Sequence, residues 1–292
     1  MQRRHFLLGA LAASLAGRAA GAPDDRAGEA ARIGLSPVFL DDQLAFLTSW
    51  REYLQAQLGR PVQFVQRRTY REIMDLLLAH KLDFAWICGY PYVKNRTELD
   101  LVAVPLSGGR PNYHSYLVVP GSDRSTRSIL DLRGKVFAFS DPDSNSGFLY
   151  PNYALLQLAE RPDAFFGKTF FTWAHRNTVE AIAAGLAQGG AVDSYVWETL
   201  KLHRPELAAR TRVAARSPEF GHTPFVARRG VPPAERQALQ RALLGMRETS
   251  AGAALLAKLN LDGFVPGSDA LYDSIARMVT AIRGVPLNAP AA

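Results

Sequence analysis

The 292-residue chain holds a single cysteine, Cys88, so no disulfide can form within it. Its six histidines are dispersed and show no metal-ligand spacing, so no metal and no other cofactor is expected. No apolar run is long enough to span a membrane stably. No internal repeat or low-complexity tract stands out. Lys and Arg number 34 against 27 Asp and Glu, but beyond the first 22 residues the basic side chains form no run longer than Arg67-Arg68 and Arg228-Arg229. Such a weak, scattered excess argues against a nucleic-acid partner and suits a small anion.

What is present begins with an address. Gln2-Arg3-Arg4-His5-Phe6-Leu7-Leu8 places paired arginines before an apolar stretch, and Ala20-Gly21-Ala22 fits a small-x-small cleavage site. Residues 1–22 read as a cleaved export signal of twin-arginine type, with the ordinary secretory route as the alternative. Either route places the mature chain outside the cytoplasm, in the periplasm, where a lone thiol is unusual. Roughly 270 residues remain, enough for two medium lobes or one large domain.

The rest alternates strand-like and helix-like segments. Arg32 to Leu35 reads as a strand, then a helix carries Leu44, Leu47, Trp50, Leu54 and Leu58 on one face. Pro61 to Val65 is a second strand. Thr69-Tyr70-Arg71-Glu72 is a capping box opening a helix to His80, and Asp83 to Cys88 is a third strand. Leu101 to Val104 and Tyr116 to Val119 are further strands. A new block starts near Pro120 and contains strands at Lys135–Phe139, Thr169–Trp173, Ala191–Tyr195 and Thr211–Ala215, with helices at Thr178–Ala187 and Glu198–His203. Thr223 to Ala227 reads as a strand returning to the first block. Helices from Pro232, from Ala253 and from Asp269 complete the chain. The rhythm predicts an α/β fold with parallel-rich sheets covered by helices, divided into 30–119 plus 224–292 as one lobe and 120–223 as the other.

The chemistry centres on Ser140-Asp141-Pro142-Asp143-Ser144-Asn145-Ser146-Gly147-Phe148-Leu149-Tyr150-Pro151, between a predicted strand and a predicted helix. A helix start leaves backbone N–H groups unpaired and carries partial positive charge. Ser144, Asn145 and Ser146 add side-chain donors, and Gly147 lets the backbone approach a ligand closely. This is either an anion site or an ordinary turn with a good cap.

Asp-Pro-x-Ser-x-Ser-Gly followed by Pro resembles the signature loop of the phosphate/phosphite/phosphonate-binding proteins, the periplasmic components of ABC importers. The usual Thr between the serines is Asn145 here. The resemblance implies a two-lobed type II periplasmic binding protein fold with a cleft between the lobes, and an oxyanion held by Ser144, Asn145, Ser146 and Gly147. Val192-Asp193-Ser194-Tyr195 and His175-Arg176-Asn177 resemble further family segments, which implies that His175 and Asp193 face the cleft. His175 can equally cap a helix, and Asp193 can equally be a buried acid satisfied by backbone N–H groups. Tyr70 matches a cleft tyrosine of the family. Tyr92 matches another, with one residue fewer after Gly89. Tyr113 is placed near the cleft, while Tyr90 and Tyr116 also suit a core or rim, and Glu198 lies at the cleft or behind it. Cys88, at the end of its strand, is expected within or just behind the cleft.

The implied function is capture of a small oxyanion of phosphonate, phosphite or phosphate class for delivery to an ABC permease, without catalysis. The alternative is a sensory subunit partnering a membrane histidine kinase, including the arsenite-sensing relatives, where the soft sulfur of Cys88 would matter. An enzyme on the same fold is the third reading. Ser144 or Ser146 with His175 and Asp193 can be written as a triad, but no Gly-x-Ser-x-Gly elbow accompanies it.

Overall fold

The computed structural model describes residues 29–37 and 44–287. The predicted export signal lies outside the described residues. The chain opens with β1 (Ala31–Leu35), α1 (Leu44–Leu58), β2 (Val62–Gln66), α2 (Tyr70–Leu78), β3 (Phe84–Trp86), α3 (Gly89–Lys94) and β4 (Leu99–Leu106). The middle comprises β5 (Asn112–Pro120), β6 (Val136–Phe139), α4 (Tyr150–Gln157), α5 (Pro162–Phe165), β7 (Lys168–Phe171), α6 (His175–Ala183), β8 (Gly189–Asp193), α7 (Ser194–His203), α8 (Pro205–Ala208) and β9 (Thr211–Gly221). Then come β10 (Phe225–Arg228), α9 (Pro233–Leu244), α10 (Ser250–Leu259), β11 (Gly263–Pro266) and α11 (Asp273–Ala281).

Two sheets form among the described residues. One is six-stranded in the order β11-β4-β10-β3-β1-β2, and the other is five-stranded in the order β7-β6-β8-β5-β9. Each has a parallel half, β2-β1-β3 and β7-β6-β8. The strands of the crossings run the other way: β10 is antiparallel to β3 and β4, and β5 is antiparallel to β8 and β9. The sheets are therefore mixed rather than parallel-rich, because a chain that leaves one lobe and returns later must enter each sheet in the reverse direction.

Strand membership moves the first lobe boundary. β5 pairs over Asn112–Pro120 with β9 and over Ser115–Val118 with β8, so residues 112–119 belong to the second sheet and not to the first lobe as expected. The first crossing lies between Leu106 and Asn112, and the second between Gly221 and Phe225. β3 also stops at Trp86, two residues short of expectation, and Cys88 instead caps the start of α3.

Local chemistry accounts for these elements. Thr69 Oγ1 accepts the Glu72 N–H at 3.2 Å while Glu72 accepts the Thr69 N–H at 3.0 Å, the reciprocal cap that starts α2. β3 is buried along its length, and Trp86 stacks on Phe225 of β10 at 4.8 Å between ring centroids. Trp50 of α1 meets Trp86 edge-on at 5.7 Å, so one aromatic cluster fastens α1 to the first sheet. Phe137, Phe139, Phe148 and Phe166 form the counterpart in the second lobe. Among the described residues no helix is long and apolar enough to cross a membrane.

Candidate functional site

β6 ends at Phe139, and the chain turns through Ser140–Asp143 before Ser144 caps a helical turn. Ser144 Oγ accepts the Gly147 N–H at 3.0 Å. That turn is wide: the Leu149 N–H reaches back five residues to the Ser144 carbonyl at 3.0 Å, and the Tyr150 N–H to that of Asn145. Such turns displace backbone from regular helical packing and recur at functional sites. α4 follows without a break, so the wide turn occupies the positive end of a helix. Gly147 is required here. A Cβ at this position would lie 1.7 Å from Ser140 Oγ and 3.0 Å from His175 Cε1. Ser144, Asn145 and Ser146 are fully buried.

The second lobe also supplies His175, the first residue of α6, and Asp193, the last residue of β8. Burial pushes His175 down to about 3 and Asp193 up to about 7, the latter partly offset by the Tyr195 and Val196 N–H groups. The Asp193 backbone N–H donates to His175 Nδ1 at 3.1 Å, which places the hydrogen of the neutral ring on Nε2. Nε2–H then donates to Ser144 Oγ at 3.2 Å. Ser144 Oγ thus accepts two N–H bonds, and its own proton remains to be donated. This polarity is the reverse of a serine nucleophile's. His175 donates a hydrogen bond to Ser144 instead of accepting one, and the Asp193 carboxyl caps α7 by accepting the Tyr195 N–H at 2.8 Å instead of holding the ring.

The first lobe closes over these groups. Tyr70 opens α2, and Cys88 precedes α3; both are buried. Cys88 Sγ accepts the Asn145 N–H at 3.3 Å across the lobes, and burial pushes its thiol up to about 11, so it is protonated at neutral pH. Tyr113 of β5 accepts from Asn145 Nδ2 at 2.9 Å. Burial first, and then the neighbouring Cys88, Asp141, Asp193 and Tyr113, hold the Tyr70 hydroxyl well above its usual range. Tyr70 Oη, Asn145 Oδ1, Ser146 Oγ and Ser140 Oγ are buried with no hydrogen-bond partner.

A second set of bonds joins the lobes beside this cluster. Asp141 Oδ2 accepts the Tyr70 backbone N–H at 3.2 Å, so a carboxylate of the second lobe completes a helix start in the first. Burial pushes Asp141 up to about 6. Asp143 pairs with Lys94 at 3.0 Å and Arg71 at 3.2 Å. Those two cations are therefore spent on Asp143, and the cluster itself consists of neutral donors and one carboxyl, that of Asp193.

The structure brings together Tyr70, Cys88, Tyr113, Ser144, Asn145, Ser146, Gly147, His175 and Asp193. It does not bring Tyr92 to them: the Tyr92 hydroxyl donates to Asp269, and its ring packs on Tyr272 at 4.9 Å within the first lobe. The shorter spacing after Gly89 is absorbed by α3, which begins there and directs Tyr92 into the core. Tyr90 lies half-buried against Lys94, and Glu198 accepts the Tyr116 hydroxyl at 3.1 Å. One residue was missed. His222, buried in the second crossing between Tyr113 and Tyr195, has an unpartnered Nε2. Its place just before Thr223-Pro224, where the chain was expected to return to the first lobe, was the available signal.

Two mixed sheets, two crossings and a buried polar cluster where the lobes meet define a bilobed binding protein of the periplasmic type II fold. The chain belongs to the family of ABC transporter, phosphonate, periplasmic substrate-binding proteins, whose model matches residues 33–272. The phosphate-import protein PhnD of Mycolicibacterium smegmatis is 30% identical over 160 residues, half of this chain and half of that protein. The phosphonates-binding periplasmic protein of Escherichia coli is 24% identical over 75% of this chain and 68% of its own. The structure of PhnD1 from Prochlorococcus marinus in complex with methylphosphonate superposes with a TM-score of 0.78 at 20% identity, covering 86% of this chain and 97% of that one.

Proposed function

We propose that this protein captures a small oxyanion of the phosphonate, phosphite or phosphate class between its lobes and presents it to an ABC permease. The observation that carries the reading is the pair of buried, unpartnered hydroxyls of Tyr70 and Ser146 beside the capped helix start. Buried polar groups are normally satisfied, and unmet hydroxyls contributed by both lobes suit an anion with several oxygens. With no guanidinium or ammonium in the cluster, the anion is held by neutral hydrogen bonds and by the helix start.

Asp193 supplies a selection rule. A carboxyl held near 7 can donate its own proton to a ligand oxygen, or accept one from a ligand that still carries a proton. A ligand and an Asp193 that are both fully ionised would repel in the buried site, so affinity falls as pH rises above about 7. Catalysis is not part of the reading, because His175 donates to Ser144. The paired arginines at Arg3-Arg4 support export through the folded-protein route, with residues 1–22 removed.

The experiment is calorimetry of the purified protein with phosphate, phosphite, methylphosphonate and arsenite, followed by product analysis after long incubation. The reading expects stoichiometric binding of at least one phosphorus oxyanion with no turnover. Binding of arsenite alone, or release of a product, would replace it.

A further inference from the structure

The second crossing carries a donor that the cluster above does not use. His222 is fully buried between β9 and β10. Its Nδ1 accepts the Thr223 N–H at 2.9 Å and lies 3.0 Å from Thr223 Oγ1. Thr223 Oγ1 itself accepts the Trp86 indole N–H at 3.1 Å, which leaves the hydroxyl proton free to point at Nδ1. Burial keeps the ring neutral, so with Nδ1 accepting, the ring hydrogen sits on Nε2. That N–H has no partner. The ring is flanked by Tyr113, with centroids 5.6 Å apart, and by Tyr195, 5.1 Å apart. Tyr113 is bonded to Asn145 of the loop, and the Tyr195 N–H is bonded to Asp193. An unmet donor therefore stands at the border of the cluster, on the connection between the lobes and not on either wall.

We propose that His222 donates its Nε2–H to the bound oxyanion, so that the ligand touches both lobes and the crossing that joins them. This rests on the oxyanion reading above. Buried N–H groups left unmet are rare and destabilising, which gives the site a reason to fill from the crossing side as well as from the loop. His222 N–H donates to Pro111 O at 2.9 Å and the Tyr272 hydroxyl donates to His222 O at 2.8 Å, so the residue is anchored to both the first crossing and the C-terminal segment. A ligand bond at Nε2 would bear on the backbone dihedrals that open and close the lobes. His222 is a positioning and specificity residue in this role, with no bond made or broken.

The test uses protein labelled with 15N at histidine, the His222 signal being assigned by its loss in His222→Phe. Addition of methylphosphonate should shift the Nε2–H resonance of His222 and slow its exchange with water, which a purely structural ring would not do. Affinity for methylphosphonate should fall about 10- to 100-fold in His222→Phe, the range for a lost bond to a charged group, and recover in part in His222→Gln, which restores an N–H. If wild type binds methylphosphonate with the His222 resonance unmoved, the contact is wrong and the oxyanion reading stands. Should wild type bind none of phosphate, phosphite and methylphosphonate, the oxyanion reading falls and the contact falls with it.

Discussion

The wall contributed by the second lobe is fastened to itself. Ser144 is held by Gly147 N–H and His175 Nε2–H, His175 by Asp193 N–H, and Asp193 by Tyr195 N–H. The wall contributed by the first lobe is Tyr70 and Cys88, whose bonds to the loop, from the Tyr70 backbone N–H and to the Cys88 sulfur, are made across the seam. One wall keeps its geometry whether or not the lobes meet, and the other acquires its contacts by meeting it. Preorganised donors lose little freedom on binding, while groups that arrive with closure must be ordered first. On the proposed reading, recognition of the anion would lie mainly with the second lobe, and retention with the first.

The most damaging change should be Gly147→Ala, which drives a methyl group into Ser140 Oγ and His175. Overpacking of this kind costs about 1–3 kcal/mol or more, and calorimetry should show methylphosphonate binding about 100-fold weaker or lost. Unaltered affinity would mean that the loop is not the recognition wall. Next come Ser144→Ala and Ser146→Ala, each weakening binding by about 1.5–3 kcal/mol. Tyr70→Phe, on the closing wall, should cost no more than about 1.5 kcal/mol. A larger loss at Tyr70 than at Ser144 would invert the comparison.

The carboxyls sharpen it through pH. Burial holds Asp193 up to about 7 and Asp141 up to about 6, so the folded protein keeps protons that the unfolded chain releases near the ordinary carboxylate pKa. The stability this lends is complete below that ordinary value and is lost as pH rises through about 6 to 7. The melting temperature of the ligand-free protein should therefore fall between pH 5 and pH 8, and the fall should be shallower in Asp193→Asn. Equal slopes in the two proteins would show that Asp193 is not buried as a neutral acid. The smallest effect belongs to Asp143→Asn. Arg71 and Lys94 are 65% and 38% exposed, so their pairs with Asp143 are screened by solvent. Loss of about 0.2–1 kcal/mol in ligand affinity is expected, vanishing at high salt. A salt-independent loss would make Asp143 part of the recognition wall.

Much of this was legible in the residues. The capping box at Thr69, the helix carrying Trp50 and Leu54 on its buried face and the small polar loop after β6 are local signals that the fold reproduces. Leu44, expected on that face, is nevertheless exposed, and Phe46 and Tyr53 are buried in its stead. The strand at Gly263–Pro266 went unread because Gly263-Phe264-Val265-Pro266 is too short to show a period, and it exists through pairing with β4. β5 was assigned to the wrong lobe because a crossing strand looks like any other apolar run; its partners β8 and β9 lie some 75 and 100 residues further on. The polarity of His175 was likewise invisible, since it depends on a backbone N–H donated from β8. His222 is set in place by Thr223, Tyr113 and Tyr195 together, and one histidine between Gly221 and Thr223 carries no pattern of its own.

Trp86 gives the molecule an optical gauge. Its indole N–H is shared between the carbonyl and the hydroxyl of Thr223, at 2.9 and 3.1 Å, in the segment that links the lobes. Any rotation about that segment alters the polarity felt by a fully buried fluorophore. Trp50 lies 5.7 Å away and will share its excitation, whereas Trp173 is 41% exposed and emits to the red of both. With Trp173 and the half-buried Trp197 both replaced by Phe, the emission band reports on the buried Trp50–Trp86 pair. A shift of that band on addition of methylphosphonate would report rotation of the lobes without any attached dye.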